Sequence, residues 1–277
     1  MKERLDKIVS ILSDYLTRNE IKCMVLGISG GIDSTVCAAI CHEIFNKTGI
    51  ELLGYSLMCN TNESDERSAA ILAGEFCNKF ENIDINSWYE FSKNFMEIAS
   101  KTDTTDLARG NIKARLRMNF LYNVAGCKKG IVIDTGNLTE YYTGFWTIHG
   151  DVGDISPIGK LWKSEVYKLA EYLRDHHYLQ PLNNKAYQAL SKSISLTPTD
   201  GNGVSKGGDL EQIAPGHTYE QVDRVLKAWL KLGSDGERAY LRGEPVMLFN
   251  DIDKDTVKKI IDRVIATEYK RGLILTL

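Results

Sequence analysis

Two hydrophobic rhythms take turns along the chain. Residues 22–28 (KCMVLGI), 51–58 (ELLGYSLM) and 130–136 (GIVIDTG) are short apolar runs rich in strand formers, with a weaker strand near 82–85. Between them, apolar positions recur at helical spacing over 34–45, 63–80, 88–100, 111–127 and 163–176. At the start, Leu5, Ile8, Val9, Leu12 and Leu16 share one face and predict an amphipathic helix. Two closing helices are expected at about 218–232 and 252–268. Helix 111–127 has Asn111 or Asp106 as its candidate cap.

Alternating strands and helices predict an α/β fold: a Rossmann-like open parallel sheet with helices on both faces, extended by C-terminal helices over about 218–277. No linker divides the chain, so residues 1–277 are read as one domain with its nucleotide-binding core at about 20–180. Residues 144–162 are rich in Gly, Asp and Trp and read as loop. Residues 183–212 show many Ser, Thr, Asn and Gly and no period, and are expected as a mobile segment of a length that is usually functional or disordered.

Composition adds exclusions. A net charge of -3 sets up no global field toward nucleic acid or an anionic membrane. No apolar run approaches the ~20 residues of a bilayer span. The six cysteines form no CxxC pair and read as reduced, mostly buried thiols of a cytoplasmic protein.

The stretch VLGISGGIDSTVCAAI (25–40) carries the first chemistry. A strand that ends in a glycine turn and restarts as a helix presents converging backbone N–H groups and the positive end of a helix dipole, which is an anion site. The turn lacks the Lys of a Walker A loop and does not supply G-x-G-x-x-G. Asp33 suits a phosphate site only if a cation lies between, and Mg²⁺ takes one or two protein carboxylates plus substrate oxygens. The alternative is an ordinary strand–helix turn with Asp33 as a first-turn helix charge, which the strand before and the helix after disfavour.

Ser29 to Ser34, SGGIDS, resembles the pyrophosphate loop of the PP-loop ATP pyrophosphatases, which cleave ATP between the α and β phosphates. Further motifs narrow the resemblance to the NAD synthetases, near the ammonia-dependent bacterial form. These are Thr135-Gly136-Asn137-Leu138-Thr139-Glu140, Gly144 to Asp151 (GFWTIHGD), Pro157 to Lys163, and GNIKARLRM at 110–118. The match runs from about 20 to 230.

The resemblance implies amidation of deamido-NAD by ammonia, with ATP as co-substrate, an adenylate intermediate, and AMP and pyrophosphate as products. It assigns Ser29, Gly30, Gly31, Asp33, Ser34, Arg117, Thr135 and Lys163 to ATP or its pyrophosphate, and Asp33 with Glu140 to Mg²⁺. Asn111, Arg115, Tyr122 and Phe145 match deamido-NAD positions, while Lys163, Asp151 and Thr199 are the expected catalytic set, with Asp151 receiving ammonium. Read without the resemblance, Glu140 is also a helix-start capping carboxylate, Lys163 a surface lysine, Asp151 a turn residue, and the aromatics core. The resemblance further implies a homodimer, for which helix 111–125 and Tyr122 are candidate surface, and a lid over ATP at 183–212.

The chain departs from the family at three places. Pro-[Ser/Thr]-Ala-Asp-Leu stands as Pro198-Thr199-Asp200-Gly201, an acidic Asp-Glu pair as Glu211-Gln212, and a phenylalanine as Leu107. Rival PP-loop ligases fit less well. A GMP synthetase shares the loop alone, an asparagine synthetase needs Cys at residue 2 where Lys stands, and an RNA-modifying enzyme needs a basic domain that 213–277 does not supply. A non-catalytic nucleotide binder would not keep Asp33, Glu140 and Lys163. A glutamine-using form carries an additional domain, so free ammonia is the expected donor.

Overall fold

A computed structural model describes residues 1–59, 64–178, 184–196, 208–244 and 247–272, with the backbone alone for 64–67. In its central strand, β1 (Cys23–Gly27), Met24 and Leu26 are buried in one hydrophobic cluster and Cys23 and Val25 in another. That is the two-residue alternation of a strand covered on both faces. β2 (Glu51–Met58), β3 (Lys79–Asp84) and β4 (Ile131–Ile133) complete a parallel sheet in the order β3-β2-β1-β4. Val25 pairs with Leu53 on one side and with Val132 on the other.

The helices, in chain order, are α1 (Lys2–Arg18), α2 (Ile32–Thr48), α3 (Ser64–Ala73), α4 (Asn86–Ser100), α5 (Asp106–Lys128), α6 (Leu138–Thr143), α7 (Lys163–Tyr172), α8 (Lys185–Ser195), α9 (Gly208–Ile213), α10 (Tyr219–Leu241) and α11 (Lys254–Ala266). Apolar side chains of α1, α2, α7 and α8 cover the Met24 face of the sheet, and those of α4 and α5 the Val25 face. α2 is apolar on nearly all sides because α1, α7 and α8 surround it. A third cluster, built from Trp162, Ile213, Val222, Val225, Leu226, Trp229, Val257 and Ile261, gives the C-terminal helices their own core.

The expected α/β architecture holds, with corrections in detail. α5 begins at Asp106 and is capped by Thr105, whose side chain accepts from Ala108 N at 3.2 Å. Asn111 is therefore inside the helix, and its side chain is free to reach another element. Helix 63–80 stops at Ala73, followed by a 3₁₀ turn at Gly74–Phe76 and then β3. Within 183–212, where no period was read, α8 and α9 are helices. α8 buries Ala189, Leu190 and Ser193 and is capped by Asn184, so small polar residues hide a genuine helical stripe. α10 is interrupted at Gly233 (φ 59°), which is where the expected helix 218–232 ends.

Candidate active site

The strand order places the site. The chain leaves β1 toward β2 on one side, and β4 lies on the other, so the carboxyl ends of β1 and β4 flank a topological switch point, where open α/β sheets bind ligands. Loop 28–31 rises from β1 and loop 134–137 from β4.

In the first loop, Gly30 sits at φ 87°, a conformation that favours glycine, and Gly31 is the residue before α2. Ser29 Oγ accepts from Gly31 N at 3.2 Å and lies 3.1 Å from Ser34 Oγ. Ser34 and Thr35 hydroxyls donate back to Gly31 O at 3.1 and 2.9 Å. The result is a small hydroxyl-lined turn at the N-terminus of a 17-residue helix, a place suited to phosphate oxygens.

Three charged residues from three helices meet beside it. Lys163, the first residue of α7, has its side chain only 3% exposed; its ammonium ion-pairs with Asp33 of α2 and donates to Glu140 Oε1 of α6 at 3.0 Å. Asn137 Nδ2 donates to the other oxygen of Asp33 at 2.9 Å. Asn137 and Glu140 also form a capping box: Asn137 Oδ1 accepts from Glu140 N and Glu140 Oε2 from Asn137 N. The helix-start capping carboxylate is thus seen in Oε2, while Oε1 meets the Lys163 ammonium. Below the ammonium, the Tyr219 ring centroid lies at 5.7 Å.

Burial alone would lower the Lys163 ammonium, but the facing carboxylates of Asp33 and Glu140 outweigh it and hold the group well above its ordinary value. Burial pushes the Glu140 carboxyl up to about 7, with Lys163 pulling it down and Asp33 pushing it further up. About a fifth of the Glu140 side chain still faces the cleft, 21%, while its carboxylate sits among protein atoms. A charge pair at ~3 Å gains about 5 kcal/mol at an effective dielectric of ~20. Desolvation costs several kcal/mol per ion, so the net gain is small and the cluster's effect is to fix positions. Asp33 and Glu140 converge on one cation, the Lys163 ammonium. Two carboxylates at such spacing, with the hydroxyl turn adjoining for substrate oxygens, fit Mg²⁺.

A second group forms where α5 meets loop 144–154. Thr147 Oγ1 donates to Asn111 Oδ1 at 2.9 Å, and Arg115 Nε and Nη2 both donate to Ile148 O at 3.3 Å. Tyr122 OH donates to Asp154 Oδ1 at 3.1 Å, and burial together with that carboxylate pushes the phenol up to about 12. Asp151 accepts from Thr147 N at 2.8 Å; the residue is largely at the surface, but its carboxyl tucks under the loop, and burial raises it above the usual range against the pull of the Thr147 bonds and of Arg117. Arg117 Nε donates to Leu57 O at 3.0 Å, fixing the guanidinium at the end of β2. Thr135 is half-buried in the turn after β4. Phe145 faces the third core, with the Arg263 guanidinium 4.2 Å from its ring centroid.

The structure thus brings Ser29, Ser34, Asp33, Glu140 and Lys163 into one cluster and Asn111, Arg115, Tyr122 and Asp151 around one loop. Thr199, with the rest of Pro198 to Gly201, lies outside the described residues. Sequence reading passed over Asn137, Tyr219, Asp209 and Asp223. Asp209 is buried, and its charge bears on Glu140, Tyr219 and Arg263. Asp223 had a visible signal: a carboxylate placed among Val222, Val225 and Leu226 on a buried helix.

Comparison with known proteins gives a consistent picture. A family model described as NAD synthase matches residues 4–274. The NH(3)-dependent NAD(+) synthetase of Carboxydothermus hydrogenoformans is 34% identical over 228 residues, 81% of this chain and 85% of that protein. The protein of the same name from Methanocaldococcus jannaschii is 30% identical over 275 residues, 99% of this chain and 95% of its own length. The solved structure of NMN synthetase from Francisella tularensis superposes with a TM-score of 0.74 at 28% identity, covering 100% of this chain and 98% of that one.

Proposed function

The chain belongs to the NAD synthase family, and from that premise we propose that it joins ammonia to the nicotinate carboxyl of deamido-NAD at the expense of ATP. A nicotinate carboxylate oxygen attacks the α-phosphorus, the bond to the bridging oxygen breaks, and pyrophosphate leaves with its electron pair. Ammonia then attacks the acyl carbon of the adenylate; AMP leaves with the C–O electron pair and the nitrogen sheds its proton. The observation that carries this reading is the convergence of Asp33, Glu140 and Lys163 beside the Ser29–Ser34 turn at the switch point.

Each residue has a share in it. The amides and hydroxyls of Ser29 to Ser34 hold the departing pyrophosphate at the helix terminus. Asp33 and Glu140 would hold Mg²⁺, which when bound supplies positive charge against the phosphates. Lys163 presents its ammonium to the phosphoryl oxygens, where charge develops. Arg117 and Thr135 border the nucleotide; Asn111, Arg115 and Tyr122 line the dinucleotide side; Asp151, on the loop that Asn111 fastens, receives ammonium. Two charged substrates held in register contribute up to ~7–11 kcal/mol of barrier lowering by orientation.

We also propose a cytoplasmic homodimer. All six thiols are free, in keeping with a reducing compartment. On α4 and the start of α5, Phe91 (69% exposed), Phe95, Ile98 (78% exposed) and Leu107 leave an apolar patch in water, which favours α4 over helix 111–125 as the contact surface. Among the described residues no helix is long and apolar enough to cross a membrane.

The Francisella superposition supports a second reading, in which the same chemistry makes NMN from the mononucleotide acid. Incubating the protein with ATP, Mg²⁺ and ammonium, and with deamido-NAD or nicotinic acid mononucleotide, separates the two by product mass. NAD with AMP supports the first, NMN with AMP the second, and ADP overturns both.

A further inference from the structure

α7 carries Lys163 at its first position, yet the residue at its N-cap, Trp162, makes no side-chain capping bond. An indole donates and does not accept, so the exposed amides of the first turn need acceptors from elsewhere. They come from two other helices. Thr139 Oγ1 of α6 accepts from Lys163 N at 2.8 Å, and Asp223 Oδ2 of α10 accepts from Ser164 N at 3.0 Å. Asp223 Oδ1 closes the circuit by accepting from Thr139 Oγ1 at 2.6 Å. Asp223 is 1% exposed, and its two oxygens thus bind the residue before Glu140 and the residue after Lys163.

We infer that Asp223 is a positioning residue for the reaction: its carboxylate caps α7 from α10 and locks α6 to α7, so that Lys163 and Glu140 meet Asp33 in one fixed geometry. This rests on the proposed amidation for its functional consequence, but the lock itself is a statement about the chain alone. The carboxylate also suits its place, since a negative charge is favoured at the N-terminus of a helix. From the far end of α6, cations of the C-terminal segment complete the brace. Arg263 Nε donates to Thr143 O at 2.7 Å, Arg271 Nη1 to Tyr142 O at 3.0 Å, and Lys270 Nζ to Gly144 O at 2.7 Å. The helical extension, which touches no Ser29–Ser34 atom in these bonds, acts on the site by gripping α6 at both ends.

Asp223→Asn keeps the volume but turns one acceptor into a donor facing a donor. The test compares it with Val225→Ala, a core substitution two residues along the same helix whose side chain makes none of these bonds, and with Thr139→Val, which cuts the same circuit at its other link. In the full-length protein, Asp223→Asn and Thr139→Val should lower kcat by ~10–100-fold while KM for ATP moves by no more than ~3-fold, as expected for a misplaced group that binds little in the ground state. Amide hydrogen exchange in a peptide spanning 161–166 should speed up in both. Val225→Ala, matched for loss of Tm, should keep kcat and the slow exchange. Equal kcat losses at equal Tm, or unchanged exchange at 161–166 in Asp223→Asn, would overturn the lock. Absence of any amide product from the unsubstituted protein would instead sink the amidation reading, with the exchange comparison still deciding the lock.

Discussion

Lys163 and Glu140, on different helices and 23 residues apart, share a 3.0 Å bond in which the lysine is buried and about a fifth of the glutamate side chain, 21%, remains exposed. The lysine occupies the position from which a cation neutralises both Glu140 and Asp33. Without it, two carboxylates would face each other in a partly closed space.

Lys163→Met should therefore cost stability as well as activity. Removing one partner of a buried ion pair costs ~3–5 kcal/mol, and millimolar Mg²⁺ should restore part of it if the carboxylates share the metal. Denaturation with and without MgCl₂ measures this. A variant as stable as the parent, or one indifferent to Mg²⁺, contradicts the shared site.

Gly30 holds φ at 87° in the turn proposed to receive phosphate. Gly30→Ala should lose ~1–2 kcal/mol from left-handed strain and reshape the amide hollow. Pyrophosphate release should fall with kcat, as followed by a coupled phosphate assay. Full activity would mean that the turn does not need its glycine.

The buried Asp223 carboxyl stands above 3.8, pushed up by burial against the pull of Ser164 and Thr139. The folded protein then holds this proton more tightly than the unfolded chain, so the contribution is fully present below the unfolded value near 3.8 and is lost as pH rises through the folded one. The stability advantage of the parent over Asp223→Asn should shrink as pH climbs from 3.8 upward. Urea titrations at several acidic pH values report it, and an advantage that grows with pH refutes the assignment.

Phe91 and Phe95 stack with centroids 6.3 Å apart on the exposed face of α4. Phe95→Glu should convert a dimer to a monomer in sedimentation, with little change in the fold of the subunit. A monomeric parent protein removes the premise.

Local pattern made the sheet and the phosphate turn legible. Met24, Leu26, Cys23 and Val25 announce a two-faced strand, and SGGIDS between strand and helix announces an anion site. Glu140 is readable as a helix-start carboxylate, but its capping-box partner Asn137 went unassigned although it lies only three residues away. What stayed hidden depends on distance along the chain. Lys163 finds Asp33 across 130 residues and Asp223 finds Thr139 across 84, and no periodicity records such meetings. Asn111 illustrates a second limit: a better cap, Thr105, lies six residues before the expected helix start at 111, which releases Asn111 for Thr147. In α8 the burial face is made of alanine, leucine and serine, which weakened the stripe below recognition.

One isotope experiment reaches the centre of the mechanism. Deamido-NAD labelled with ¹⁸O in its nicotinate carboxylate is turned over with ATP, Mg²⁺ and ammonium, and the products are weighed. If the carboxylate attacks the α-phosphorus while the Ser29–Ser34 turn holds the departing pyrophosphate, AMP carries one labelled oxygen and pyrophosphate none. Label in inorganic phosphate, accompanied by ADP, would contradict it.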